Sequence, residues 1–198
     1  MKGELETLAE KNGDLDQVNS VASFFISRID TLVDSKLDEK LETAEHPRER
    51  AELQSLKGKV AIANAKLTYQ TYKSIIASDR WQKLAAKGAN AQRLLWASTS
   101  TKNPEYSDVM YVEELIGADT VNTLPQATMD AFRDHGRTRP TIESGVSQAR
   151  DTMSLLEAGG VSMNEITELL VRDGVRLFAE PFEKLLEAIK KNCSTLGN

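Results

Sequence analysis

Residues 94–117 read LLWASTSTKNPEYSDVMYVEELIG, and this segment determines how the rest of the chain is interpreted. It opens on an apolar strand, predicted over 92–97, and continues into six small or polar residues at 98–103. Asn-Pro then leads into a helix predicted over 104–116, because proline is favoured in a first helical turn. A hydrophobic core does not require such a sequence, so this polar run (residues 98–103) needs a functional explanation.

The chain on either side repeats the alternation of strand and helix. Further strands are predicted over 20–26 and 119–125, where apolar and β-branched residues are concentrated. Helices are predicted over 3–12, 29–57 (interrupted at His46-Pro47), 59–86, 104–116, 126–135 and 142–192 (interrupted at Gly159-Gly160). Short connections between alternating strands and helices predict right-handed crossovers, a parallel sheet and hence an α/β fold. The nearly continuous apolar strands are typical of strands covered on both faces.

The last part of the chain, 142–192, is predicted to be helical throughout. Its second and longer helix has apolar residues at a spacing that predicts one face turned towards the core. The residues on that face are Ile166, Leu169, Leu170, Val175, Leu177 and Phe178. The sequence contains no repeat with a period of 20–50 residues and no low-complexity segment, so nothing divides the chain into repeated units.

Composition and charge narrow the class of protein. The chain has 198 residues, of which 40% are hydrophobic, which supports a core and argues against wholesale disorder. Its 25 basic and 30 acidic residues give a net charge of −5 and no basic surface for nucleic acid. The single cysteine, Cys193, excludes a disulfide framework and a cysteine metal site. No apolar run reaches the roughly 18 residues of a membrane helix, so a soluble, cytoplasmic protein is expected.

The predicted strands end in side chains suited to binding an anion. The first strand end offers Ser23 and Arg28, the second offers the polar run with Lys102, and the third offers Asn122 and Thr123. The carboxyl ends of parallel strands meet at one edge of the sheet, where ligands bind in such folds. Guanidinium, ammonium and hydroxyl groups, without a carboxylate, thiol or imidazole among them, suit a phosphate. Backbone N–H groups at the start of the following helix are expected to contribute.

Each of these signals also has an ordinary structural interpretation. Serine and threonine after a strand commonly form a loop and a helix cap, and Arg28 could be a solvent-facing salt-bridge residue. Lys66 lies among apolar residues of a predicted helix, where its stem is expected to run along the helix face. His46 and His135 have no evident partner and are expected at the surface. No pair of nucleophile and base is visible, so no catalytic residue is assigned.

Four segments resemble the transaldolase family, in particular a bacterial group whose members sometimes occur fused to glucose-6-phosphate isomerase. These segments are SVASFFISRIDTLVD, GKVAIANAKLTYQ, RLLWASTSTKNPEYSD and DTVNTLPQATMDAFRDHG, and the resemblance runs from about residue 3 to about residue 192. It implies a (β/α)8 barrel and an enzyme of the pentose phosphate pathway that needs no cofactor. In this family a lysine forms a Schiff base with a ketose phosphate such as fructose 6-phosphate or sedoheptulose 7-phosphate. A dihydroxyacetone unit then passes to an aldose phosphate.

The resemblance implies that the chain is the C-terminal portion of such a barrel. The strands over 20–26, 92–97 and 119–124 resemble its sixth, seventh and eighth strands, and residues 3–12 resemble the end of its fifth helix. The expected organisation is one partial barrel domain over 1–198, with barrel units at 1–141 and extra C-terminal helices at 142–198.

The family motifs also imply a substrate-phosphate site. In many members the sixth strand ends Ser-Pro-Phe-Val-Gly-Arg, and its Ser and Arg hold the phosphate. Ser23 and Arg28 take these places, while Phe24 and Ser27 replace the Pro and Gly. The seventh strand of those members ends Ala-Ser-Phe-Arg-Asn. Ser98 matches the Ser of this seventh-strand motif, and Lys102 stands two residues beyond the place of its Arg. The residues implied to bind phosphate are therefore Ser23, Arg28, Ser98 and Lys102.

The resemblance also shows which catalytic groups this sequence does not contain. The Schiff-base lysine and the acid–base Asp and Glu of the family lie on strands that would precede residue 1. Three parallel strands cannot close a barrel, which typically takes about 250 residues, so sheet edges and apolar inner faces are expected to lie open. The chain is therefore expected to need its N-terminal half, a second copy or a rearrangement.

We interpret the sequence as the C-terminal part of a transaldolase, arising by truncation, a split gene or a fragmentary gene model, and expect no activity from it alone. Two alternatives stay open. The first is a non-catalytic sugar-phosphate binding module, which predicts weak, salt-sensitive binding of fructose 6-phosphate that depends on Arg28. The second is a helical interaction protein, in which residues 142–192 and the sheet edge form an oligomer interface without affinity for phosphate.

Overall fold

A computed structural model describes residues 3–196, apart from the side chains of Phe178 and of residues 192–196, so Cys193 lies outside the described side chains. The strands are β1 (Val21–Phe25), β2 (Arg93–Ala97) and β3 (Thr120–Asn122). The helices are α1 (Glu4–Glu10), α2 (Ile26–Thr43), α3 (Pro47–Leu56), α4 (Val60–Ile76), α5 (Asp79–Ala85), α6 (Met110–Glu113), α7 (Gln126–His135), α8 (Val146–Ala158) and α9 (Met163–Leu196).

The three strands form one parallel sheet in the order β1-β2-β3. Val21 is in register with Arg93 at one end of the β1–β2 pair, and Phe25 with Ala97 at the other. The shorter β3 pairs with the last residues of β2. The predicted α/β class and parallel sheet are confirmed, and the arrangement is consistent with a partial (β/α)8 barrel.

One face of the sheet carries the hydrophobic core. Leu94 and Trp96 of β2 are buried there together with residues of α2, α4, α8 and α9, and Phe24 of β1 packs edge-on against Trp96 with the ring centroids 5.8 Å apart. Trp96 is 1% exposed, and its indole N–H donates to the carbonyl oxygen of Leu115 at 3.1 Å. Trp96 thus anchors the sheet to the segment that follows it.

The opposite face of β1 is uncovered, as expected for a sheet of three strands. The side chains of β1 alternate between the two faces of the sheet. Val21, Ser23 and Phe25 are therefore exposed, while Ala22 and Phe24 pack against the core. Val21 is 40% exposed and Phe25 is 43% exposed. We call the surface formed by Val21, Ser23 and Phe25 the open face.

The helix predicted over 104–116 is wrong, because only Met110–Glu113 are helical there. The Asn103 side chain accepts a hydrogen bond from the N–H of Glu105 at 2.9 Å, and the N–H of Tyr106 donates to the Asn103 carbonyl oxygen at 3.2 Å. These contacts form a turn that competes with a helix at Pro104.

Two other helix boundaries also differ from the prediction. The helix expected over 59–86 is divided into α4 and α5, because Ser78 caps α5 by accepting a hydrogen bond from the N–H of Trp81. The helix expected from residue 29 begins at Ile26, directly after β1. Because α2 begins earlier than predicted, its first turn lies next to the predicted binding site.

The prediction that helix α9 turns its apolar residues towards the core is correct for its first turns, where Leu170 also packs against the core, and wrong farther along the helix. Ile166 is 2% exposed, but Val175 is 67% exposed and Leu177 is 53% exposed; the side chain of Phe178 lies outside the described residues. Other exposed members of this apolar face of α9 are Val171, Phe182, Leu185, Leu186 and Ile189. Among the helices described, none is long and apolar enough to cross a membrane.

Lys66 lies in α4, where its stem was expected to run along the helix face. Its side chain is buried, and its ammonium has partners that the sequence did not reveal. The ammonium donates to a carboxylate oxygen of Glu114 at 2.7 Å and to the carbonyl oxygen of Ser144 at 3.1 Å. Lys66 therefore joins α4 to two distant segments, and its charge is neutralised by Glu114.

A buried aspartate joins three parts of the helical layer. Asp30 of α2 is 1% exposed, and one carboxylate oxygen accepts the N–H of Ala61 in α4 at 2.8 Å. The other accepts the Tyr111 hydroxyl at 2.8 Å. Burial raises the pKa of Asp30 to about 6, although both hydrogen bonds favour the charged form.

This environment predicts a pH-dependent contribution of Asp30 to stability. The folded protein holds a proton on Asp30 that the unfolded chain releases between about pH 4 and pH 6, so its contribution becomes more favourable as the pH falls through that range. The free energy of unfolding of the parent protein should rise relative to that of Asp30→Asn by up to about 1.4 kcal/mol per pH unit between those limits. Urea titrations followed by tryptophan fluorescence measure the free energy of unfolding at each pH. Asp151→Asn, at an exposed position in α8, is the control; identical pH profiles for the parent and Asp30→Asn would contradict the prediction.

Candidate functional site

The first strand continues directly into a helix at the carboxyl edge of the sheet. Phe25 ends β1 and Ile26 begins α2, so Ser27 and Arg28 lie in the first helical turn and not in a loop. The first N–H groups of a helix lack partners within the helix and carry partial positive charge. No acidic side chain stands in the first turn of α2. This end of the 18-residue helix therefore favours an anion.

Ser23 and Arg28 both lie at the predicted site. Ser23 is on the open face, in register with Leu95 of β2 and two residues before the end of β1. The guanidinium carbon of Arg28 is 4.7 Å from the centroid of the Phe25 ring, within the range of a cation–π contact. Because Phe25 belongs to the open face, Arg28 reaches back over the end of β1.

The salt-bridge interpretation of Arg28 finds no support in the structure. Within the described part of the chain Arg28 has no carboxylate partner, and its side chain is exposed. Its five N–H donors are therefore accessible to a ligand, while the Phe25 ring limits the orientations of the guanidinium.

Ser98 is joined to the start of α2 by two hydrogen bonds. The N–H of Ser27 donates to the Ser98 carbonyl oxygen at 3.0 Å, and the two hydroxyl oxygens are 2.9 Å apart. Ser98 has a φ of 57°, in the left-handed region that residues with a side chain adopt rarely. The ends of β1 and β2 are thus held together at a strained residue, a feature common at binding sites.

Ser27 was expected at this edge of the sheet together with Arg28, but it was not predicted to bind the phosphate. It occupies the place of the Gly in the family motif, and the resemblance gave it no role. The available signal was its position directly before Arg28, at the end of an apolar strand. Ser27 is buried, and its hydroxyl contacts that of Ser98, so Ser27 supports the site without being exposed to a ligand.

Lys102 lies farther along the polar run and is exposed. Its ammonium donates to the Ser100 hydroxyl at 2.9 Å. Among the described contacts, no hydrogen bond joins it to Ser23, Arg28 or Ser98. Lys102 therefore follows the same strand end as Ser98 but forms no hydrogen bond with the other three residues.

Hydrogen bonds join the third strand end to the end of the second. The hydroxyl of the buried Thr99 donates to the side-chain oxygen of Asn122 at 2.9 Å and to the carbonyl oxygen of Thr123 at 3.3 Å. The N–H of Thr123 donates to the carbonyl oxygen of Trp96 at 3.0 Å. Asn122 and Thr123 thus join β3 to β2, and the candidate site is built on the first two strand ends.

The histidines take no part in this site. Both are exposed, as predicted, but His135 does have partners, since its ring nitrogens lie 2.9 Å from Asp108 and 3.1 Å from Asp134. Hydrogen bonding to Asp108 and then to Asp134 raises the pKa of His135. Among the side chains that the structure describes, which do not include Cys193, histidine, cysteine, aspartate and glutamate form no cluster of three or more that could hold a metal ion.

The site therefore combines one guanidinium, hydroxyl groups and the N–H groups of a helical first turn, with one ammonium beyond them. These groups donate hydrogen bonds and carry positive charge, and no carboxylate contacts Arg28 or Lys102 in the part of the chain that is described. The guanidinium, the ammonium and the exposed hydroxyls suit a multiply charged oxyanion such as phosphate, while the N–H of Ser27 already donates to the Ser98 carbonyl oxygen. The arrangement is suited to binding an anion, and it contains no nucleophile paired with a base.

Comparison with known proteins identifies relatives over almost the whole chain. The family model described as "Transaldolase/Fructose-6-phosphate aldolase" matches residues 5–189. The chain is similar to "Transaldolase" of Trichodesmium erythraeum, with 49% identity over 194 residues that cover 97% of this chain and 51% of the relative. "Transaldolase 2" of a Nostoc species is 50% identical over 196 residues, with 98% and 51% covered.

A more distant relative gives the same result. "Transaldolase 1" of Streptomyces coelicolor is 44% identical over 185 residues, which cover 93% of this chain and 46% of the relative. The chain thus spans about half the length of the curated relatives it matches. The extent of the family match and the level of identity show that this chain belongs to the transaldolase/fructose-6-phosphate aldolase family.

Proposed function

We propose that this chain supplies the substrate-phosphate site of a transaldolase, formed by Ser23, Arg28, Ser98 and Lys102. The observation that carries the proposal is the junction of the first two strand ends. There the first turn of α2, the accessible guanidinium of Arg28 and Ser98 meet beside the open face. Sugar phosphates present a dianion that matches these donors.

Each residue has a distinct part in this proposal. Arg28 makes paired hydrogen bonds to two phosphate oxygens, since its planar fork fits that geometry. The hydroxyls of Ser23 and Ser98 donate to the remaining oxygens, and Lys102 adds a flexible point charge from the polar run. Holding the phosphate fixes the far end of the sugar and places its carbonyl group for reaction elsewhere in the barrel.

The covalent chemistry belongs to residues outside this chain in our proposal. Transfer of a dihydroxyacetone unit proceeds through a Schiff base on a lysine, which needs an amine of lowered pKa beside a proton shuttle. Lys66 belongs to the helical layer, outside the candidate site, and its ammonium is bound there by Glu114. The ammonium of Lys102 donates to the Ser100 hydroxyl, and no carboxylate contacts it in the part of the chain that is described.

We further propose that the three strands correspond to the sixth, seventh and eighth of a barrel, that 1–198 is one partial domain, and that an N-terminal half-barrel completes it. The exposed apolar residues of the open face support this. An apolar groove of about 1080 Å³ also lies between α1, α4 and α5, where Leu5, Ala22 and Trp81 are among the lining residues. A half-barrel would cover both surfaces and pair with the free edge of β1.

Binding of fructose 6-phosphate by the chain tests the phosphate site. Arg28→Ala should weaken binding about 10- to 100-fold, because a hydrogen bond to a charged group contributes about 1.5–3 kcal/mol. Lys102→Ala should weaken it less, and added salt should weaken binding by the parent protein. Calorimetric titration measures these affinities. Arg48→Ala removes an arginine whose side chain is 90% exposed and is the control. Equal affinities for Arg28→Ala and Arg48→Ala would contradict the proposal.

Complementation tests the covalent chemistry. The 198-residue chain alone should show no transaldolase activity, and activity should appear when it is mixed with a separately expressed N-terminal half of the Trichodesmium erythraeum relative. Borohydride reduction in the presence of fructose 6-phosphate should then attach the sugar unit to the N-terminal half. Mass spectrometry locates the modified lysine, and a reduced imine on any lysine of this chain would overturn the assignment.

The apolar face of α9 favours one alternative function, a helical interaction protein. Its exposed residues recur at helical spacing over several turns, with Val175, Phe182 and Ile189 as examples. Such a protein forms a concentration-dependent oligomer and binds no phosphate, which light scattering and phosphate titration together reveal. A non-catalytic sugar-phosphate module differs again, because it binds the sugar phosphate and stays inactive after mixing with the N-terminal half.

A further inference from the structure

Helix α2 carries a second aspartate one turn after the buried Asp30, and it makes the same kind of contact. Asp34 accepts the N–H of Gly58 at 3.1 Å through one carboxylate oxygen and the hydroxyl of Tyr106 at 2.6 Å through the other. Asp30 likewise binds one N–H at the start of α4 and one tyrosine hydroxyl. Two tyrosines from the segment after β2 are thus bound by two carboxylates on one face of α2.

The Tyr106 ring has a defined seat on the backbone at Gly58. Gly58 has a φ of 70°, and a Cβ atom at this position would lie 2.7 Å from Cζ of Tyr106. Only glycine allows both this backbone conformation and this close approach of the ring. The hydroxyl and the ring of Tyr106 are therefore fixed by different groups, Asp34 and Gly58 respectively.

Tyr106 also fixes the turn that directly follows Lys102. Its N–H donates to the carbonyl oxygen of Asn103 at 3.2 Å, and the Asn103 side chain accepts the N–H of Glu105 at 2.9 Å. Because this stretch is not helical, its position depends on such side-chain contacts instead of a helical hydrogen-bond ladder. The turn therefore holds the backbone at Lys102, and the hydrogen bond between Tyr106 and Asp34 holds the turn.

We propose that the Asp34–Tyr106 hydrogen bond is a positioning contact that sets the reach of Lys102 relative to Arg28. Arg28 stands in the first turn of α2 and Asp34 stands six residues later on the same helix. The helix therefore determines both the position of the guanidinium and the position from which the ammonium extends. This inference rests on the proposed phosphate site and adds two residues to it that do not touch the substrate.

The chemical state of Tyr106 is consistent with this role. Burial, followed by the hydrogen bond and the negative charge of Asp34, raises the pKa of the Tyr106 phenol. The phenol therefore stays a hydrogen-bond donor throughout the neutral pH range. Tyr106 is half-buried, so its hydroxyl can be removed without disturbing the main core.

A double-mutant cycle with inorganic phosphate as the probe tests the inference. Tyr106→Phe retains the ring over Gly58 and removes only the hydroxyl. It should raise the Kd for phosphate about threefold to tenfold, and this effect should disappear when Lys102→Ala is already present. In the Arg28→Lys background, where Lys102 and a cationic residue 28 both remain, the same loss should persist. Tyr69→Phe is the control, since it removes a phenol hydrogen bond to the carbonyl oxygen of Ala118 outside this site.

The possible results separate this inference from the proposed function. The positioning role is wrong if Tyr106→Phe binds phosphate as tightly as the parent protein. It is also wrong if Tyr106→Phe lowers the affinity for phosphate by the same factor with and without Lys102→Ala. In both cases the phosphate site itself stands. If the parent protein binds no phosphate and Arg28→Ala changes nothing, the site and the inference both fail. Amide hydrogen exchange provides a second measurement, and faster exchange at residues 101–106 in Tyr106→Phe than in Tyr69→Phe is expected. Equal exchange there in the two variants would also overturn the positioning role.

Discussion

The candidate site depends on the junction between Ser27 and Ser98. β1 enters α2 without an intervening loop, and the hydrogen bonds from Ser27 hold the start of that helix against the end of β2. Ser98 adopts a left-handed backbone conformation that costs free energy for a residue with a side chain, and the contacts around the junction maintain it. Arg28 and Ser98 stand at neighbouring strand ends as a consequence, although they are far apart in the sequence.

The segment after β2 shows how an irregular backbone can still be held in a defined place. Trp96 binds the carbonyl oxygen of Leu115 at one end of this segment, and the Asp30–Tyr111 contact fixes its middle. These contacts take the place of the helix predicted there, and each uses a side chain from the core or from α2. A loop that rigid elements hold in this manner is typical of binding sites, since it combines irregular geometry with a fixed position.

The sheet could be predicted because its strands are short apolar runs between clear helical patterns. The start of α2 could not, since Phe25 and Ile26 suit a strand and a helix equally and no proline, glycine or capping residue separates them. The buried pair of Lys66 was also invisible, because Glu114 lies 48 positions away in the sequence. Ser23, Arg28 and the polar run that begins at Ser98 were singled out by their place at the strand ends, and the family motif then gave Ser23, Arg28 and Ser98 their role. Their burial and contacts required the fold.

The exposed face of α9 indicates what kind of surface would cover it. Apolar residues at the spacing of Val175, Phe182 and Ile189 could form the seam of a coiled coil, but such seams are usually flanked by charged residues. Here the flanking positions include Gly174 and Leu186, and Pro181 lies within the helix. A broad, weakly charged face with a proline fits poorly against a second copy of the same helix. It is better matched by a wide apolar surface, and under the proposed completion of the barrel the N-terminal half is the candidate to supply one.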